Sequence, residues 1–561
     1  MKPMLTAALA LMLGAGAAAG ALAEPPALAD LGLPTGADEA MQGIDPERIR
    51  AHVKFLSDDD LEGRGPGVRG GDIAAKYIAA QFALLGLKPA GDDGGYLQKV
   101  SFVGVQTQPD TGFSLQPASG DAVPLKYRDD FVVSNQTQTP GADIDAPIVF
   151  VGYGIDAPEY QWNDYKGIDV KGKVVLLIVN EPPSKDPKFF NGEALTYYGR
   201  WMYKFEEAAR QGAVGALIIH RTDLASYPWD VVRSSWSNEQ VYLAEDKSPK
   251  LQAAAWIQLD VARLLFAAAG LKVDDQISLA GTRDFKPAEL PVRLRAHITS
   301  NVRKFESPNV VAMLPGTDKG PPKQAVLYTA HYDHLGIDPT MPGDNIYNGA
   351  VDNGTGCGIL LELAHAFATA KERPPHPVIF ASVTAEEKGL LGSRYLGEHP
   401  PIPAAQIALD LNYDAVPPIG EPESVNVGGA ERTSFYPVVE KTAKAFHYEI
   451  EGDANPGAGH YYRSDHFSMA RVGVPAFSIN AGQKFAGHPR EWGKAQEDDY
   501  TANRYHRPAD EYTPDMDFSS SAAVARFGFA LGWQALLAPD TVGWQPGDEF
   551  EARRKNPPKA P

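Results

Sequence analysis

Ala325-Val326-Leu327-Tyr328-Thr329-Ala330-His331-Tyr332-Asp333 decides the fold. Six residues without a charge end in a histidine and, two positions on, an aspartate. An uninterrupted apolar run of this length reads as a strand buried on both faces, the pattern of parallel strands. In sheets of that kind, functional residues gather beyond the carboxyl ends of the strands. His331 and Asp333 stand at such an end and, two apart, point to the same side.

Working outward, the pattern repeats. Asn309 to Leu314, Val378 to Val383 and Ile407 to Asn412 are further apolar runs. Ile359, Leu360, Leu363, Ala364 and Phe367 follow helical spacing, and helices are expected over 434–447 and 519–537, with a strand over 475–479. Alternating strands and helices predict an α/β fold with a mixed, mostly parallel sheet and helices on both faces.

These runs end in metal-ligand chemistry. Asp352-Asn353-Gly354 opens a helix, Glu386-Glu387 follows the run 378–383, Asp414 follows 407–412, and Tyr505-His506 comes last. All are oxygen or imidazole donors. One zinc takes three or four, and five with a spare carboxylate suit a two-metal hydrolytic site that activates water. Each residue alone has a plainer reading. Asp352 is also a good helix cap. Adjacent carboxylates are usually solvated, but Glu386-Glu387 ends a buried strand, where two charges are costly without cations. One of the pair can ligate while its neighbour serves as general base. Ten of the 13 histidines lie at or beyond 331, and His488 rivals His506 as the last ligand.

The rest of the chain is bounded more loosely. Its 561 residues exceed one compact domain. A net charge of -19 argues against nucleic acid or an anionic membrane as partner. Lys2, the apolar stretch Leu5 to Gly20 and Ala21-Leu22-Ala23 read as a signal peptide over 1–23, cleaved near Ala23. Export is therefore expected, to a bacterial periplasm or the medium, because the single cysteine, Cys357, allows no internal disulfide. No stable membrane association is expected. Residues 130–295 contain strand-like runs, such as Val174 to Val179, that end in no ligand cluster. This block reads as an insertion between a segment at 44–128 and a catalytic part at 296–540. A charged, Pro-rich tail over 541–561 is expected to be disordered.

Taken together, His-x-Asp, Asp-Asn-Gly, Glu-Glu, Asp and Tyr-His-x-Pro-x-Asp in this order resemble the dizinc exopeptidase family. That family includes secreted bacterial leucyl aminopeptidases, glutamate carboxypeptidases and glutaminyl cyclases. The block 130–295 resembles the β-rich protease-associated domain through Val151-Gly152-Tyr153-Gly154 and Asp169-Val170-Lys171-Gly172-Lys173-Val174-Val175. The resemblance implies two zinc ions per chain. Asp352 would bridge them, His331 and Asp414 would complete one, and Glu387 and His506 the other. It makes Glu386 the general base, Asp333 the residue that orients His331, and Tyr461 a candidate for holding the oxyanion. Peptide substrates are implied, with an aminopeptidase expected ahead of a carboxypeptidase or dipeptidase. The oligomeric state is left open.

Overall fold

A computed structural model describes residues 31–225, 227–318, 324–453 and 455–555. The expected signal peptide lies outside them. The strands that matter, in chain order, are β1 (Leu97–Thr107), β2 (Gly112–Pro117), β3 (Phe131–Ser134), β4 (Gly141–Phe150), β5 (Val174–Ile178), β6 (Gly215–Ile219), β7 (Gln240–Leu243) and β8 (Ala253–Ile257). They continue with β9 (Ala288–Leu314), β10 (Ala325–His331), β11 (Val378–Val383), β12 (Ile407–Asn412) and β13 (Ala476–Ser478). The principal helices are α1 (Thr35–Gln42), α2 (Pro46–Leu56), α3 (Arg69–Leu84), α4 (Trp201–Arg210), α5 (Gly356–Thr369), α6 (Tyr436–Ala445) and α7 (Ser519–Leu537).

The strands lie side by side in the order β13-β12-β10-β11-β9-β4-β5-β6-β8-β3. β10 to β13 run parallel, as do β4, β5, β6 and β8, while β9 is antiparallel to its neighbours. This is the mixed, largely parallel α/β sheet that the sequence predicts. β10, β11 and β12 are buried at every position, as their apolar runs require. Ile359, Leu363 and Phe367 of α5 pack one face with Phe527 and Leu531 of α7 and Phe82 of α3. Leu396, Met469 and Val472 cover the other with Val311, Leu327 and Ile379. Among the described residues, no helix is long and apolar enough to cross a membrane.

β9 joins two cores. Its first half alternates, burying Leu290, Val292, Leu294, Ala296 and Ile298 with the inserted strands. Its second half contributes Val310, Ala312 and Leu314 to the core around β10, β11 and β12. Residues 112–117 and 123–125 also pair into the inserted sheet, so the inserted unit begins near 112, ahead of the expected 130. The tail differs from expectation too. Trp544 and Phe550 are buried beside Tyr462 and Phe467, and Arg432 pairs with Asp548 and Glu549, so residues 541–555 are packed onto the unit that holds β10 to β13. Two aromatic anchors outweigh the charged, Pro-rich composition around them.

Candidate active site

The candidate ligands come from five chain segments and meet at the carboxyl ends of β10, β11 and β12. His331 closes β10, and its Nε2 lies 3.3 Å from Asp352 Oδ1 and 3.2 Å from Asp414 Oδ1. His506 brings its Nε2 to 3.2 Å from Asp352 Oδ2 and 3.2 Å from Glu387 Oε2. One carboxylate, Asp352, therefore gives one oxygen to each histidine. His488 stacks on Trp492 at 3.8 Å and takes no part.

Local structure explains each position. Asp352 sits on a turn whose peptide to Asn353 is cis. Asn353 donates to the Tyr413 carbonyl and accepts from Gly356 N–H and Ala415 N–H, tying the start of α5 to the chain leaving β12. Asp510 accepts the N–H groups of Val351 and Asp352 and the hydroxyl of Tyr500, so the turn is held from below. The Tyr500 helix (Glu491–Asn503) accounts for much of the polar stretch before His506. The buried Arg64 guanidinium donates to the carbonyls of Tyr332, Asn348 and Gly349. Gly349 has φ +57°, and a Cβ there would collide with the Asp352 carbonyl and the His334 ring.

The donor set fits a divalent cation. His331 Nδ1 faces the main-chain carbonyl of Asp333 at 3.1 Å, so it must carry hydrogen. Its Nε2 then faces only carboxylate oxygens, which accept and cannot donate. A positive charge belongs between them, carried by a second proton on Nε2 or by a metal cation, and His331, Asp352 and Asp414 present ligand atoms close enough together to share one. The electrostatics agree. Burial works against a charged His331, yet Asp414, Glu386 and Asp352 push its pKa well above the ordinary imidazole value. Burial likewise opposes a charged His506, and Glu387 and Asp352 overcome it. Asp352 is pushed up by burial but carried well below the carboxylate range by His331 and His506. Glu386 goes the other way. Burial first, then the neighbouring Glu387 and Asp414, hold it well above 4.5. The adjacent glutamates are thus split, one aligned with the histidines and one protonatable.

Residues 309–528 match the description Peptidase family M28. The chain is 28% identical over 264 residues to leupeptin-inactivating enzyme 1 of Streptomyces exfoliatus, covering 44% of this chain and 54% of that protein. It is 30% identical over 192 residues to a Pseudomonas aeruginosa (strain UCBPP-PA14) aminopeptidase, covering 32% of each. The matches thus span about half, or less, of these relatives' lengths. The solved aminopeptidase from Aneurinibacillus sp. strain AM-1 shares the fold at 18% identity and a TM-score of 0.51, covering 89% of this chain and 96% of that one.

Within the matched segment two expectations need correction. Tyr461 does not join the cluster. Its hydroxyl donates to the Ala476 carbonyl at 3.1 Å and its ring lies under Arg432 at 4.4 Å, so it is a packing residue. The phenol in the field of the site carboxylates is Tyr505, stacked on His506 at 3.9 Å, with its pKa raised by burial and by Asp352, Glu387, Glu386 and Asp414. Asp333 contacts His331 through its main chain, whereas its carboxylate accepts Glu386 N–H at 3.1 Å and stays 3.8 Å from the ring. Sequence reasoning also missed two neighbours. His334 Nδ1 lies 2.7 Å from Glu387 Oε1, and the Ser464 hydroxyl donates to Asp414 Oδ2 at 2.6 Å. His334 directly follows Asp333, one residue past the stretch quoted at the outset, and an imidazole at that place was a readable signal. Ser464 lies 50 residues from Asp414 and offered none.

Proposed function

We propose that this chain is an exported, zinc-dependent aminopeptidase that removes single residues from free peptide N-termini. The observation that carries the reading is the shared aspartate, with one Asp352 oxygen toward His331, which also meets Asp414, and the other toward His506, which also meets Glu387. Under this reading two zinc ions are held by His331, Asp352, Glu387, Asp414 and His506. When bound, such ions polarise a scissile carbonyl and lower the pKa of water from about 15.7 toward about 7.

The chain's own groups supply the remaining chemistry. Glu386 takes the proton of the attacking water and returns it to the leaving amine, a task suited to a carboxyl whose pKa is raised by burial and by like charges. His334 and Ser464 each occupy one oxygen of a ligand carboxylate and so fix its orientation. Tyr505 is the candidate donor to the developing oxyanion. The dense carboxylate field suits an α-ammonium group. The name aminopeptidase carried by the Pseudomonas aeruginosa relative points the same way. The alternative, a carboxypeptidase or dipeptidase of the same family, would draw on arginines flanking the site.

The test is a matched panel of peptides with free and N-acetylated amines. Free-amine peptides should lose one N-terminal residue at a time, chelation should stop the reaction, and zinc should restore it at two ions per chain. Efficient cleavage of N-acetylated peptides would defeat the aminopeptidase assignment.

A further inference from the structure

A row of buried polar side chains runs along one face of the sheet toward the candidate ligand Asp414. Asp410 and Asn412 of β12 are two apart, as are Thr329 and His331 of β10, and side chains two apart in a strand share a face. Thr329 pairs with Asn412 across the two strands. The rest of that face is apolar, with Leu327, Ile379 and Met469 packed over it. Asp410, Thr329 and Asn412 are fully buried there. Thr329 Oγ1 lies 3.0 Å from Asp410 Oδ1 and 2.9 Å from Asn412 Oδ1. Asn412 Nδ2 donates to Ser464 Oγ at 2.8 Å, and Ser464 donates to Asp414 Oδ2 at 2.6 Å.

Counting hydrogens fixes the direction of this chain. The Thr329 hydroxyl has one hydrogen and faces two oxygens. The Asn412 oxygen can only accept, so a charged Asp410 would leave Thr329 with one acceptor too many. Turning the Asn412 amide over does not help. Ser464 would then give its hydrogen to Asn412 and set a bare oxygen 2.6 Å from Asp414. The chain closes when Asp410 carries a proton. Asp410 then donates to Thr329, Thr329 to Asn412, Asn412 to Ser464 and Ser464 to Asp414. The other Asp410 oxygen points the same way. It is buried with no partner among the described residues, and a charged carboxylate left so is costly. Burial raises the Asp410 pKa, the Thr329 hydroxyl offsets part of that, and Asp465 raises it again, well above the carboxylate range. Asp465 acts from the start of the helix His466–Arg471 and is itself fully buried.

We propose that Asp410 is a positioning residue for the zinc held by His331 and Asp414, a neutral acid that heads this relay and locks Ser464 as a donor to Asp414. The role rests on the zinc reading above. With Oδ2 engaged by Ser464, Asp414 presents Oδ1, the oxygen that meets His331, to the ion. The relay ends at one ion only, because Glu387 and His506 take no part in it.

The test measures the affinity of each zinc ion on the full-length protein by chelator competition. Asp410→Asn keeps a donor toward Thr329, so both ions should bind within about twofold of the wild type. Asp410→Leu and Thr329→Val each remove a link. They should weaken one ion by about 10–100-fold, the usual effect of losing a group that orients a ligand, and leave the other unchanged. Thr329→Ser should restore most of the loss. Thr329→Val carries the expectation alone should Asp410→Leu fail to fold. In the infrared, the metal-free wild type at pH 7 should show a protonated-carboxyl band that Asp410→Asn lacks. A loss of affinity in Asp410→Asn as large as in Thr329→Val, equal weakening of both ions, unchanged affinity in Thr329→Val, or a band that survives in Asp410→Asn would overturn the proposal. Failure of the zinc reading is separable. A wild-type protein that binds no zinc would remove the positioning role, while the band would still decide whether Asp410 is the neutral head of the relay.

Discussion

Glu386 and Glu387 are chemically identical neighbours whose surroundings separate them. Glu386→Gln should lose about 10²–10⁴ in kcat, the usual worth of a general base, and keep its zinc. Glu387→Gln should lose zinc, because His506 and His334 then lack their shared carboxylate partner. Steady-state kinetics with metal analysis after dialysis decides between them, and the reverse pattern would exchange the two roles. Tyr505→Phe should lower kcat, whereas Tyr461→Phe should lower only stability, since Tyr461 spends its hydroxyl on the Ala476 carbonyl. The ligand candidates were legible in the sequence because few residue types can hold a divalent cation and His331, Glu387 and Asp414 each followed an apolar run. Tyr461 was misread because a local motif does not say which way a side chain points. Ser464 was invisible because only folding brings it to Asp414.

At the scale of elements, the turn carrying Asp352 depends on Asp510 accepting two of its N–H groups. Asp510→Asn should weaken zinc binding by about 10–100-fold, the usual effect of losing a group that orients a ligand. A competitive zinc chelator titration checks this. Away from the site, α2 and α3 meet through His52, whose Nδ1 lies 2.8 Å from the Tyr77 hydroxyl. Burial, then Arg48 and His365, lower the His52 pKa to about 4. An unfolded histidine titrates near 6.5, so between about 6.5 and 4 the unfolded chain takes up a proton that the folded chain refuses. The stabilising contribution is full above pH 6.5 and falls away as pH drops toward 4, by up to about 3 kcal/mol. Urea unfolding at pH 7 and pH 4.5 should show a smaller acid loss in His52→Gln than in the wild type. The buried strands β10, β11 and β12 were readable as continuous apolar runs. The first half of β9 was not read as part of a long strand, because its exposed Arg293, Arg295 and His297 interrupt the apolar residues and its partners lie far away in sequence.

At the scale of the whole molecule, the inserted unit hangs on two strands of the catalytic sheet. Thr107 of β1 pairs directly with Ser300 of β9. Replacing residues 108–299 with an Asn-Gly turn should close that hairpin and keep zinc binding. The same deletion removes β7, whose Val241 and Leu243 cover Val100 and Phe102, so the shortened protein should self-associate through the bared strand edge. Light scattering and metal analysis read both outcomes, and loss of zinc from a folded deletion protein would contradict the division. The contrast between the two halves was legible in the ligand-free runs of 130–295, but the start of the inserted unit was not, since residues 112–125 declare their sheet only by pairing. β9 itself is 27 residues long, nearly 90 Å of chain at ~3.3 Å per residue. Its pairing passes from β4 to β1 between Thr299 and Ser300 without a break. A hinge needs a few residues free to change their backbone angles, and this stretch offers none. Uninterrupted pairing across that junction makes β9 a torsion bar, so a twist of one unit is carried into the other.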